Sequence, residues 1–287
     1  MSFMKIRVVT DSGGGISQEQ ACQLDIDYLP LQVMIDEKTY LDGVDMDANL
    51  LYDLMEKGAM PQTSQPPLGM IEELMNKYEE EQVTDIILVT LSSGLSGTNE
   101  SICAAAKRHG LTIHTLDIYT TLAMEGYIAR AAKRLVDEGC TPQQVIERLQ
   151  ESVEQSAGYL IVENLHFLAA GGRLTPMAAK LGGMLKIKPI LKVSKETSGQ
   201  VDIYEKVRTM SKAIKTACQT VANHPGINKE EYKIVIMDSR ASSNADLAQQ
   251  TLEELIPGIE IEREPLCAVI NSHTGMESVG IQFIKKV

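Results

Sequence analysis

Between residues 5 and 155, short apolar runs of strand length alternate with amphipathic stretches of helix length. Residues 5–10 (KIRVVT), 28–35, 85–91 (DIILVTL) and 111–118 read as extended segments. Helices are predicted from Ser17 onward, near 49–57 and 68–81, and over 98–109, 121–138 and 142–155. Ser17 with Gln20 has the spacing of a capping box, and Pro142 follows Thr141 as a first-turn proline follows its cap. Strands separated by whole helices do not pair as hairpins; they cross over and lie parallel, with helices on both faces. The first half is therefore expected to be a three-layer α/β domain with a mainly parallel sheet.

The rhythm changes after residue 157. Short extended pieces at 159–163, 186–193 and 200–206 precede a helix at 208–222, a strand at 232–238 (YKIVIMD) and a helix at 243–255. Strand-like runs follow at 259–270 and 278–286. This order suits an α+β domain, and the division is placed at 1–157 and 158–287. A chain of 287 residues is long enough for two such cores.

Composition narrows the function. A formal charge of −12 disfavours nucleic-acid binding, since phosphate repulsion would have to be overcome locally. Nine Tyr, three Phe and no Trp leave little for base stacking. Five scattered cysteines without a Cys-x-x-Cys pair argue against a disulfide framework or a zinc site, and no two histidines have metal-ligand spacing. Without a membrane-length apolar stretch or a signal-peptide pattern, the expected location is cytoplasmic. Charge is uneven: between Arg173 and Lys215 ten basic residues stand against three acids, a net of +7. That stretch is either a solvated face or a docking surface for an acidic or phosphate-bearing partner.

The loop TLSSGLSGTNES, residues 90–101, joins a strand to a helix N-terminus, where anions and nucleophiles are commonly held. It lacks the Lys of a phosphate-binding P-loop and contains no Arg. Gly94-Leu95-Ser96-Gly97 is also mis-spaced for the nucleophile elbow of a hydrolase. A serine hydrolase stays open as an alternative, with Ser93 or Ser96, Asp117 and His273 in Ser-Asp-His order. A third reading is a carboxylate held by neutral donors: the hydroxyls of Ser92, Ser93 and Ser96 with the first N–H groups of helix 98–109. Thr63 and Ser64 in PQTSQPP, residues 61–67, would supply the second donor cluster. Both loops serve equally well as plain helix caps.

Seven signatures in order resemble the DegV family of bacterial lipid-binding proteins. They are Thr10-Asp11-Ser12, Thr63-Ser64-Gln65-Pro66, 91–98 (LSSGLSGT), Gly171-Gly172-Arg173-Leu174, 185–191 (LKIKPIL), Lys206-Val207-Arg208-Thr209 and His273-Thr274-Gly275. The family usually continues the last with Pro-Gly; here Met276-Glu277 follow. The resemblance implies a long-chain fatty acid bound non-covalently between the two domains, with no catalytic residue and no cofactor in this chain. It implies further that the chain is the fatty-acid-carrying subunit of a bacterial fatty acid kinase. Such a subunit presents the carboxylate to a separate ATP-binding subunit that makes acyl phosphate. Carried over, Thr63 and Ser93 hydrogen-bond the carboxylate, with Ser64, Ser92, Gly94 and His273 nearby. Arg173 and Arg208 match positions associated with engaging the kinase, and Lys186 and Lys188 are expected to join them around the mouth. Transient membrane contact would serve lipid exchange. Burying about fifteen methylenes at roughly 0.8 kcal/mol each gives a gross driving force of about 12 kcal/mol, while an unpaired buried carboxylate costs several. Donors at one end of an apolar slot are what such a ligand requires.

Overall fold

The structure, a computed structural model, describes residues 4–163, 165–180 and 187–287. The first half runs β1 (Ile6–Asp11), α1 (Gln18–Gln23), β2 (Asp27–Leu29), β3 (Gln32–Ile35), β4 (Lys38–Leu41), α2 (Ala48–Glu56), β5 (Gln62–Ser64), α3 (Leu68–Glu80), β6 (Asp85–Val89), α4 (Thr98–Arg108), β7 (Thr112–Thr115), α5 (Ala123–Asp137) and α6 (Pro142–Glu154). The second runs β8 (Ala157–Ile161), α7 (His166–Gly171), α8 (Pro176–Ala179), β9 (Lys188–Val193), β10 (Val201–Val207), α9 (Met210–Ala222), β11 (Tyr232–Asp238), α10 (Ser242–Leu255), β12 (Glu260–Pro265), α11 (Ala268–Thr274) and β13 (Val279–Lys285).

The first half carries a wholly parallel sheet in the order β2-β1-β6-β7, as the crossover argument requires. A small antiparallel sheet, β4-β3-β5, stands beside it; its outer strands were not legible in the sequence. The second half forms a six-stranded mixed sheet, β10-β9-β8-β13-β11-β12, parallel only between β11 and β12. That sheet is buried on both faces. Ile234, Ile236, Ile281 and Phe283 pack under α9 and α10, whereas Val235, Met237 and Ile284 join the core of the first half. A strand covered on both sides reads as a continuous apolar run, which is what YKIVIMD is.

One expectation is overturned. The strand-like run 259–270 ends as a strand at Pro265, and Ala268-Val269-Ile270 opens a helix, α11. The β-branched residues are outvoted by tertiary packing: α11 has no side-chain cap of its own, Val269 and Ile270 are buried in the core of the first half, and the buried Asp42 carboxyl, 226 residues upstream of Ala268, lies beside the start of the helix. Likewise α5 has no local cap. Leu122 stands at φ +66°, and the Met124 N–H donates to Gln282 Oε1 of β13 at 2.9 Å. Gln282 also donates to the Thr121 carbonyl at 2.9 Å and to Thr120 Oγ1 at 3.3 Å, so its amide fastens the two halves together.

Asp42 belongs to a set of buried acids. Asp11 accepts from the Gly13 N–H at 2.7 Å and the Leu91 N–H at 3.1 Å, and Glu125 lies against the same turn. Burial pushes Asp11 up to about 6 and Asp42 up to about 7. Burial, then the charge of Asp11, pushes Glu125 well above the usual carboxyl range. All three hold protons more tightly folded than unfolded. The contribution of Asp11 and Asp42 to stability is full below about pH 4 and is lost as pH rises through 6 to 7. Chemical denaturation at pH 5 and pH 8 is expected to show lower stability at pH 8, and Asp42→Asn is expected to flatten the upper part of the profile. Gln282→Leu strands the Met124 N–H and the Thr121 carbonyl. It is expected to cost roughly 2–4 kcal/mol, read as a lower denaturation midpoint with unchanged slope.

Candidate functional site

A cavity lies between the six-stranded sheet and the first half of the chain. Its floor is a row across four strands: Leu191, Leu160, Gly280 and Met237 are register partners on β9, β8, β13 and β11. Gly280 lets the Met237 side chain lean over the strand, since a Cβ there would stand 3.1 Å from Met237 Cε. Leu31, Leu91, Leu95 and Leu122 close the slot from the first half, and Val269 and Ile270 of α11 form one side. The walls are dominated by aliphatic side chains.

Polar side chains gather at one end, where Thr63, Ser64, Ser96, Arg173 and His273 line the cavity. Thr63 sits on β5, opposite Val33 of β3, and its hydroxyl is 2.7 Å from His273 Nε2. Ser64 accepts from Gln32 Nε2 at 2.9 Å, and the Ser101 hydroxyl donates to Gln65 Oε1 at 2.6 Å, which ties this loop to α4. The Ser96 hydroxyl is 2.8 Å from that of Thr98. His273, near the end of α11, packs so tightly on Gly171 that a Cβ there would approach Nδ1 to 2.2 Å. Gly172 then turns the chain at φ +70° and delivers Arg173. Arg173 donates to the carbonyls of Leu95 at 3.3 Å and Gly171 at 2.5 Å. No carboxylate among the described residues pairs with it. Burial lowers its pKa, as expected for a half-buried cation without a counter-ion. Burial, then the charge of Arg173, drives His273 down to about 4, so its imidazole is neutral and its buried Nδ1 has no partner. The result is a single positive charge with hydroxyl and imidazole groups at the end of an apolar slot, a fit for one anionic head group.

The other predicted site residues fall elsewhere. Ser92 is fully buried; its hydroxyl donates to the Gly199 carbonyl at 3.1 Å and accepts from the Gly94 N–H at 3.2 Å. Gly94 lies under the turn between β9 and β10, where a Cβ would meet the Ser198 carbonyl oxygen at 2.3 Å. Ser92 and Gly94 thus dock the two halves and do not line the cavity. Ser93 is exposed and donates to Asp117, pinning its loop to the segment leading into α5. The hydrolase alternative fails here: a triad needs an imidazole between serine and carboxylate, but Ser93 bonds Asp117 directly, Ser96 bonds Thr98 and His273 bonds Thr63. Lys188 pairs with Glu163. Arg208 is exposed just past the C-terminal end of β10, whereas Leu174 bridges Val201 at its other end, so Arg173 and Arg208 stand on the order of 20 Å apart. Lys186 lies outside the described residues.

Sequence reasoning missed most of the lining, including Thr120, Tyr159 and Gln282. Gln282 carried a usable signal, a lone amide inside the apolar run of β13. No group of three His, Cys, Asp or Glu among the described residues is arranged to hold a metal ion, and no described helix is long and apolar enough to cross a membrane.

Comparison with known proteins agrees across the whole length. Residues 5–286 match the family described as "Uncharacterised protein, DegV family". The chain is 32% identical to Protein DegV of Bacillus subtilis over 283 residues, covering 97% of this chain and 98% of that protein. It is 30% identical to the DegV domain-containing protein spr1415 of Streptococcus pneumoniae, covering 98% and 99%. The crystal structure of the fatty acid binding DegV family protein SAG1342 from Streptococcus agalactiae superposes with a TM-score of 0.90 at 30% identity, over 99% of this chain and 100% of that one. That of DegV, a fatty acid binding protein from Bacillus subtilis, gives 0.85 at 31% identity, over 99% and 100%. With a full-length family match, relatives at this identity and a shared fold, the chain belongs to the DegV family.

Proposed function

We propose that the chain binds one long-chain fatty acid non-covalently, with its tail in the aliphatic slot and its carboxylate against Arg173, Thr63, Ser96 and His273. The observation that carries this reading is the unpaired, half-buried Arg173 guanidinium at the polar end of a slot otherwise walled by aliphatic side chains. A buried cation without a counter-ion costs free energy unless an anion completes it. Two relatives described as fatty acid binding proteins share the fold over its full length. Ser93 is the family residue that departs from this geometry: its hydroxyl is committed to Asp117, and Ser96 takes its place on the cavity wall.

The family resemblance extends the reading to a carrier role, in which a separate ATP-dependent kinase subunit phosphorylates the presented carboxylate. The exposed basic residues Lys206, Arg208, Lys212 and Lys215 offer a face for such a partner, distant from the head-group end. The carboxylate must then reach solvent beside Thr63 and Ser96, which are only partly buried.

Denaturing extraction followed by mass spectrometry is expected to release an intact free fatty acid, with no acyl mass left on the polypeptide; acyl mass on a serine would count against the carrier. Arg173→Gln is expected to weaken fatty-acid binding roughly 10- to 100-fold, and Thr63→Val roughly 3- to 10-fold, in a displacement titration with a fluorescent fatty acid. Arg208→Glu should leave that titration unchanged while reducing acyl-phosphate formation when ATP and the kinase subunit are added. Parallel loss of lipid binding in Arg208→Glu would refute the separation of the two surfaces.

A further inference from the structure

The main slot has a neighbour at the start of β8. A second cavity shares Thr120, Tyr159 and Val193 with it and is bounded beyond them by Met124, Ala157, His224 and Phe283, together with the charged side chains of Glu154, Lys192, Lys195 and Glu196. The two meet where the sheet comes apart. β8 and β9 pair only at Tyr159 with Lys192, Leu160 with Leu191 and Ile161 with Ile190. β9 nevertheless continues along β10 to Val193 opposite Val201, and β8 continues along β13 to Ala157 opposite Phe283. The β8–β9 ladder therefore ends before Gly158 and Val193, and both residues line the main slot at this gap in the pairing. Gly158 has no side chain to fill it and accepts none, because a Cβ would stand 2.6 Å from the Gln282 side chain.

The chemistry of the walls gives the gap a direction. Gln282 and Thr120 have spent their polar atoms on one another and on the start of α5. Arg173 and His273 line the main slot and not the second cavity, so an acyl chain anchored on them points its tail toward the gap. On the far side, the His224 and Phe283 rings pack at 4.4 Å between centroids and form an aromatic wall.

We infer that the acyl slot is open at its tail end: the terminal methylenes of chains too long for the main cavity pass between Gly158 and Val193 and lie against Ala157, Phe283 and His224. The inference rests on the fatty-acid reading above and adds to it a ligand class, fatty acids longer than the main cavity holds.

Native mass spectrometry of the full chain loaded with equimolar hexadecanoic and docosanoic acids tests it. Each further buried methylene is worth roughly a fourfold change in Kd. The wild-type chain is therefore expected to take up docosanoic acid at least as well as hexadecanoic acid. Ala157→Phe fills the second cavity alone; the docosanoic share should fall at least tenfold while hexadecanoic acid by itself still loads fully. Val193→Phe narrows the gap from the other side and should lower the same ratio, which keeps the test decisive if Ala157→Phe does not fold. A wild-type chain that loads hexadecanoic acid but excludes docosanoic acid, or folded variants that keep the wild-type ratio, overturns the open-ended slot and leaves the fatty-acid reading standing. Failure of the wild-type chain to load either acid overturns both.

Discussion

The Gln282 carboxamide joins the two halves of this molecule and makes the slot between them tenable. It stands on β13, a central strand of the second sheet, and every polar atom of its side chain is used by the first half. Those bonds cap α5, whose own sequence supplies no cap, and hold Thr120 and Thr121 at the cavity wall. A buried amide with any of these partners missing would cost on the order of 1–3 kcal/mol for each unsatisfied group, so the seam is fixed in one register. The same side chain leans over Gly158, which is why the sheet carries glycine where β8 and β9 part.

With the seam fixed, the polar end follows from close backbone approaches. Gly171 lets α7 touch the His273 ring, Gly172 turns the chain back, and Arg173 is delivered to the cavity on carbonyl bonds. Carbonyl partners orient a guanidinium without neutralising it. The charge that remains depresses His273 further and keeps it neutral, so the site presents one positive charge rather than two. That balance suits a single carboxylate held firmly yet left accessible on its hydroxyl side.

Much of the fold was legible because it depends on local periodicity. The strands β1, β6 and β11 and the helices α3, α6, α9 and α10 lie within two residues of where apolar spacing and capping residues put them. The failures cluster where a distant group decides. Ala268-Val269-Ile270 has the side chains of a strand and forms a helix whose Val269 and Ile270 are buried in the core of the first half. Strand β5 is three residues long and gains its identity from pairing with β3. Within the site, Thr63 and His273 could be named from family signatures, but their 2.7 Å contact joins positions 210 residues apart. Ser92, Ser93, Ser96 and Gly94 look interchangeable in a small-residue loop, and only packing separates them: one docks the halves, one binds Asp117, one lines the cavity and one yields to the Ser198–Gly199 turn.

The sequence alone determined the parallel sheet of the first half, the change of architecture after it, and the family. These are properties of composition, period and short motifs, each set within a few turns or strands. Tertiary structure alone decided which hydroxyl faces the slot, that Arg173 is a cavity residue while Arg208 stands on the order of 20 Å away, and where the sheet opens. Those outcomes depend on angles and separations between elements far apart in the chain. They are fixed by buried hydrogen bonds and by steric contact at glycine, which one-dimensional spacing does not encode.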